Sequence, residues 1–111
     1  MTSGYDRAAA ARYWGEERLT AGDELAAVLS LREPRIVNEA YDRWERTLVA
    51  RALEPLAGRL VLDLGCGTGR LARFLGARGA RVVAMDNAAG MLQRCRAHPP
   101  APADPGAGTT A

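Results

Sequence analysis

Two carboxylates and a glycine-rich turn hold most of the chemistry in this sequence. Asp63 lies inside the apolar run Leu60-Val61-Leu62-Asp63-Leu64, and Gly65-Cys66-Gly67-Thr68-Gly69 follows at once. Asp86 closes a second apolar run, Arg81-Val82-Val83-Ala84-Met85. An acid inside a short apolar strand is costly unless it is paired or hydrogen-bonded. Asp63 therefore needs a partner, and the backbone N–H groups of the adjoining turn are one source. Glycines at 65, 67 and 69 let backbone approach a ligand with no side chain in the way, and the helix that follows opens with unpaired backbone donors. A carboxylate placed like Asp86 can accept two ribose hydroxyls in charge-assisted hydrogen bonds. It can equally cap the helix that starts near Ala88, although Asn87 is also suited to that cap.

The elements that must position these groups read in order as strand, glycine-rich turn, helix, strand, acid. That is half of a nucleotide-binding unit. Spacing bears on the nucleotide. The dinucleotide fingerprint G-x-G-x-x-G begun at Gly65 meets Arg70 where its last glycine belongs; begun at Gly67 it meets Ala72, which some dinucleotide sites accept. A dinucleotide-binding fragment thus stays open as a minor alternative. No Gly-Lys-Ser/Thr is present, which argues against a P-loop.

Val61-Leu62-Asp63-Leu64-Gly65-Cys66-Gly67-Thr68-Gly69 resembles the first motif of the class I methyltransferases that depend on S-adenosylmethionine (SAM). Asp86-Asn87-Ala88-Ala89-Gly90-Met91-Leu92 resembles that family's segment after its second strand. The resemblance runs over roughly residues 37–95 and is strongest over 61–92. It implies an α/β, partial Rossmann-like SAM-binding fold: a helical N-terminal region, then strand, loop, helix, strand, helix. It implies SAM as cofactor and methyl transfer to a nucleophilic acceptor, a small molecule by expectation. It implies that Asp63, Gly65, Cys66, Gly67 and Gly69 lie at the methionyl end of SAM. Asp86 then takes the ribose, and Asn87 and Met91 lie beside the adenine. Met91 as plain core packing is the competing reading. Cys66 fits as a small side chain behind the turn rather than a nucleophile, since a reactive thiol needs a low pKa and access.

No catalytic base is identified. His98, the single histidine, begins a proline-rich stretch. Cys66, Cys95 and His98 form no metal-ligand run, so no metal is expected.

Upstream, Tyr5 to Arg18 suggests a helix that weakens near Gly15. Thr20 suggests the cap of a second, with Asp23 completing an approximate capping box. Val37, Tyr41, Trp44 and Leu48 recur at helical spacing and predict an amphipathic helix from Pro34 or Arg35 to Leu53. The apolar side is expected inward, with Glu39, Asp42, Glu45 and Arg46 on the opposite face. Helices ahead of the first strand resemble the family's lid region, where Tyr13 and Trp14 could close over a ligand. The expected organisation is a helical region over 1–35, a partial methyltransferase domain over 36–97, and a disordered Pro/Gly/Ala-rich tail over 98–111.

At 111 residues the chain is long enough for one small domain. A complete core of the resembled class has a seven-stranded sheet, whereas two strands are evident here. The sequence therefore reads as a truncated N-terminal portion, and a noncatalytic remnant or interaction module is the alternative function. An incomplete sheet leaves an apolar edge that invites self-association or a complementary chain. All 15 basic residues are arginine and lie among 13 acids, for a net charge of +2. That mixture argues against a nucleic-acid stripe. Two cysteines suit a reducing compartment, and no transmembrane or signal segment is evident. A cytoplasmic location is the default expectation.

Overall fold

A computed structural model describes residues 4–98. The expected tail over 98–111 lies, apart from His98, outside the described residues. Two parallel strands, β1 (Leu60–Leu64) and β2 (Arg81–Met85), pair in register from Leu60 opposite Arg81 to Leu64 opposite Met85. Helix α4 (Arg70–Ala77) makes the crossover between them. The β1–turn–α4–β2 order is the one the apolar runs and glycines predict, and it gives the partial Rossmann-like α/β fold. The chain enters α4 through Gly69 at φ +87°, a left-handed conformation that costs a glycine nothing.

Strand alternation divides the sheet. Val61, Asp63, Val82 and Ala84 point to the side covered by helices, while Leu60, Leu62, Leu64, Val83 and Met85 stand exposed on the other. The core forms on the covered side. Ala50, Leu56, Leu75 and Ala80 are its buried centre, with Val49, Leu53, Val61, Phe74 and Val82 packed around them.

Helix α3 spans Arg35–Leu53, as its periodicity predicts, but it faces the other way. Its buried residues are Asn38, Asp42 and Ala50. Val37, Tyr41, Trp44 and Leu48 are 44–56% exposed. The expectation of an inward apolar stripe is corrected by ion pairing: Asp42 and Glu45 turn toward Arg70 at the start of α4. Only the C-terminal end of α3 reaches the apolar core.

The N-terminal segment also departs from expectation. Helix α1 (Arg7–Arg12) starts on Asp6, whose carboxylate accepts from the N–H groups of Ala8 and Ala9. Gly15 does not end the helical path. The chain widens into a π-turn over Tyr13–Glu17 and tightens into a 3-10 turn over Arg18–Thr20. Thr20 caps nothing downstream; its hydroxyl donates back to the Glu17 carbonyl at 2.7 Å. Asp23 caps α2 (Glu24–Val28) instead, accepting from Ala26 N–H at 2.9 Å. Ala21 breaks the path with an extended ψ of 143°, so Thr20 closes one helix and Asp23 opens the next.

Arg18 holds this region together. Its guanidinium donates to the carbonyls of Ala26, Ala27 and Leu29 at 2.9–3.0 Å, closing the C-terminal end of α2. The Trp14 ring lies 4.8 Å from its central carbon. The segment then meets helix α5 (Ala89–Ala97) glycine to glycine. A Cβ at Gly90 would overlap the Gly15 carbonyl. Among the described residues no helix is long and apolar enough to cross a membrane.

Gly90→Ala is expected to destabilise the chain. Helix propensity alone would favour alanine by about 1 kcal/mol. The added methyl would force α5 and the π-turn apart, at a cost of about 1–3 kcal/mol. Thermal unfolding and protease susceptibility across residues 5–20 check this; a raised melting temperature would contradict the packing assigned to Gly15.

Candidate functional site

The turn after β1 is fixed by groups at the end of β2. The N–H groups of Gly65 and Cys66 both donate to the Met85 carbonyl, at 2.8 and 2.9 Å. The next residue, Asp86, completes the joint. Its Oδ2 accepts from Gly67 N–H and its Oδ1 from Ala88 N–H, both at 2.8 Å. One carboxylate therefore ties the glycine turn to the entrance of α5. Gly65 and Gly67 hold positive φ values of 70° and 57°, which keep side chains off the open side of the turn.

This arrangement borders a cavity of about 390 Å³. Asp63, Gly65, Cys66, Gly67, Asp86, Asn87 and Met91 all line it. Gly69 does not; it turns toward α5, where a Cβ would come within 2.5 Å of Cys95 Sγ. The cavity also takes in Trp14 from the π-turn, Val28 from α2, Glu45 from α3, and Arg70 and Leu71 from α4. Met91 is 2% exposed, so it serves the packing of α5 as well as the cavity wall. Tyr41 and Trp44 lie on the exposed stripe of α3 rather than in this wall.

Charge is concentrated here. Among the described residues, Asp63 Oδ2 is buried and has no hydrogen-bond partner. Burial pushes its carboxyl above the ordinary value, the Arg70 guanidinium pulls it back, and Glu45 and Asp86 push it up again. The anticipated turn-anchor contact from backbone N–H groups is made by Asp86 rather than Asp63. Burial, with Cys95, Asp86 and Asp63 nearby, pushes the Cys66 thiol up to about 12. It is a neutral packing group at pH 7, not a nucleophile. Among the described residues no cluster of His, Cys, Asp or Glu could hold a metal.

Arg70 and Glu45 are the residues that sequence reasoning missed. Arg70 figured only as a mismatch to a glycine fingerprint, and Glu45 as part of a solvent face. Arg70 is 9% exposed and donates to Asp42 Oδ1 at 2.6 Å and to Glu45 at 3.3–3.4 Å. Arg46 reaches the other oxygen of Asp42 at 2.9 Å. One signal was available: a cation in the first turn of a helix opposes the helix dipole and calls for a specific partner.

Helix α2 and the turn are strapped together on the far side. Glu24, at the start of α2, accepts from Thr68 Oγ1 at 2.6 Å and pairs with Arg73. Arg73 also donates to the Thr68 carbonyl at 2.8 Å.

These features define the class: a glycine-rich, nucleotide-type turn between two parallel strands, with helices laid over it from upstream. Residues 61–105 match the family described as a methyltransferase domain. The chain carries part of a class I methyltransferase domain. It is 42% identical over 69 residues to a demethylmenaquinone methyltransferase of Clavibacter sepedonicus, covering 51% of this chain and 28% of that protein. It is 40% identical over 82 residues to a magnesium-protoporphyrin O-methyltransferase of Rhodobacter capsulatus, covering 74% and 34%. A 32-residue stretch is 66% identical to a cypemycin N-terminal methyltransferase of a Streptomyces species, covering 29% and 13%. The chain thus spans between a quarter and about a third of the length of the first relatives. No solved structure matches it.

The strap is expected to respond to acid. Burial alone would raise the Glu24 carboxyl, but the hydrogen bonds from Thr68 and Arg73 outweigh it and hold the group below its ordinary value of 4.5. A carboxyl depressed in the folded state contributes stability above its unfolded pKa and loses it as pH falls through the folded one. Unfolding midpoints should therefore drop below about pH 4.5 in the wild type and change less steeply in Glu24→Gln. Parallel profiles would contradict the strap.

Proposed function

We propose that this chain supplies the cofactor-binding part of a SAM-dependent methyltransferase whose acceptor is a small molecule. The buried, unpartnered oxygen of Asp63 in the cavity carries this reading. An unpaired buried acceptor is rare, and an ammonium such as that of the SAM methionyl group suits it. Asp86 supports the same reading. Each of its oxygens accepts one backbone N–H, which leaves lone pairs for ribose hydroxyls. Neither Asp86 nor Asn87 caps α5, whose N-cap is Ala88 with no side-chain cap bond; the Asp86 contacts to the Gly67 and Ala88 N–H groups are compatible with the ribose role. Gly65, Cys66 and Gly67 supply the turn that the cofactor would approach, and Gly69 sets the close fit of α4 against α5. Asn87 and Met91 supply a wall for the base. A cavity of about 390 Å³ lies within the usual range for small-ligand sites.

When bound, SAM supplies a methyl group made electrophilic by its sulfonium, for transfer to an O, N, S or C nucleophile. The part of this chain is to bind, orient and shield. Trp14 and Val28 close the cavity from the lid side and exclude water there. Relatives named for quinone and porphyrin methylation support a small-molecule acceptor. In this reading residues 1–35 act as lid and 36–97 as a partial SAM-binding domain, located in the cytoplasm. A second reading, a noncatalytic interaction module, rests on a different observation: the exposed sheet face of Leu60, Leu62, Leu64, Val83 and Met85.

Calorimetric titration of SAM into the purified chain tests the proposal. Saturable binding near one equivalent is expected. Asp63→Asn should weaken it about tenfold or more while leaving the melting temperature unchanged or higher, because a desolvated charge is removed. Affinity should also fall with acidification through the raised Asp63 pKa, since the ammonium partners only the ionised carboxylate, and this dependence should vanish in Asp63→Asn. A folded chain that binds no SAM would overturn the assignment.

A further inference from the structure

Arg70 sits in an unequal pair of ion bonds. Its bond to Asp42 is short, 2.6 Å, between side chains 9% and 11% exposed. Its bonds to Glu45 are long, 3.3 and 3.4 Å, and Glu45 is 24% exposed. Charge-assisted N–H···O contacts normally close to about 2.7–2.9 Å. The Asp42 contact is therefore a fixed anchor and the Glu45 contact a loose one. Glu45 can turn toward solvent at little cost, whereas Asp42 cannot. Arg70, Glu45 and Asp63 line the same cavity, and the Arg70 charge is felt at the Asp63 carboxylate. The cavity thus offers an unpartnered anion beside a cation whose second partner is exchangeable. An α-amino acid zwitterion carries the complementary charges on adjacent atoms.

We propose that Arg70 reads the α-carboxylate of the cofactor while Asp63 reads its ammonium, and that Glu45 occupies the carboxylate position until the cofactor displaces it. The inference rests on the SAM reading above and adds to it a specificity-determining residue and an internal competitor. Arg70 keeps Asp42 throughout, so its charge is never left unpaired in the interior. Its fork of five donors allows two carboxylates to be held at once, which a lysine could not reproduce.

The test compares SAM with decarboxylated SAM, which keeps the ammonium and sulfonium and lacks only the carboxylate. The readout is the ratio of their affinities, measured by calorimetry on the full chain. The wild type should prefer SAM about tenfold or more, as expected for a hydrogen bond between charged groups. Glu45→Gln removes the competitor and should raise the preference by a further threefold or more, approximately. Loss of a negative charge beside the cavity weakens decarboxylated SAM, a dication, more than SAM, whose net charge is +1, so the competitor role requires in addition that the affinity for SAM itself rise in Glu45→Gln. Arg70→Lys should lower the preference toward unity. A preference unchanged in Glu45→Gln would overturn the competitor role, and that variant leaves the Arg70–Asp42 anchor intact and the chain folded. Equal binding of both ligands by the wild type would overturn the Arg70 assignment while leaving the SAM reading standing. Failure of the folded wild type to bind either ligand would overturn both.

Discussion

Arg70 enters α4 directly after the glycine turn, and its guanidinium is almost wholly enclosed. A cation in that position must meet carboxylates, because burying it unpaired costs several kcal/mol. Asp42 and Glu45 meet it from α3, and Arg46 balances Asp42 from one turn further on. The requirement sets the rotation of a 19-residue helix about its own axis. With Asp42 facing inward, Tyr41 and Trp44 cannot be buried at the same contact. The cavity wall at Glu45 and the exposed stripe on α3 both follow from that one constraint. Ion pairs of this kind contribute more to geometry than to net stability, since desolvation offsets much of the attraction.

The glycine turn depends on a second joint. Three successive N–H groups, of Gly65, Cys66 and Gly67, are all satisfied from the end of β2, two by the Met85 carbonyl and one by Asp86. The turn is therefore shaped by the protein's own groups, which limits the ordering entropy that opposes binding. Asp63 gains nothing from this arrangement. Asp86, at the end of the adjacent strand, supplies the anchor, and among the described residues Asp63 Oδ2 is left buried and unpaired. A site that is rigid in its backbone and unsatisfied at one polar atom is prepared for a polar ligand.

The N-terminal segment reaches the cavity by backbone contacts. Gly15 and Gly90 allow two helical backbones to touch, and Arg18 seals α2 through three carbonyls. The π-turn between them rotates Trp14 onto the cavity rim. Glu24 then ties α2 to Thr68 and Arg73 beside the turn. The N-terminal segment is thus held at two separate places, one steric and one ionic.

The sequence by itself determined the strand–turn–helix–strand order, the bounds of α3, and the nearness of Asp63, Gly65, Gly67 and Asp86, whereas Gly69 turns away toward α5. These follow from local rules: alternation in strands, glycine at left-handed positions, and an apolar run ended by an acid. The match to the methyltransferase domain rests on the same stretch. Tertiary structure alone decided which face of α3 is buried, that Asp23 rather than Thr20 caps α2, and that Arg70 and Glu45 belong to the cavity. Helical spacing assigns an apolar stripe to the interior because burial of apolar area usually dominates. Here a buried guanidinium from another element outweighed it, and the partner of a charge 25 or more residues away leaves no period in the sequence. The contact of Gly15 with Gly90 was hidden for the same reason: close approach is a property of two backbones, and neither segment carries the mark of the other.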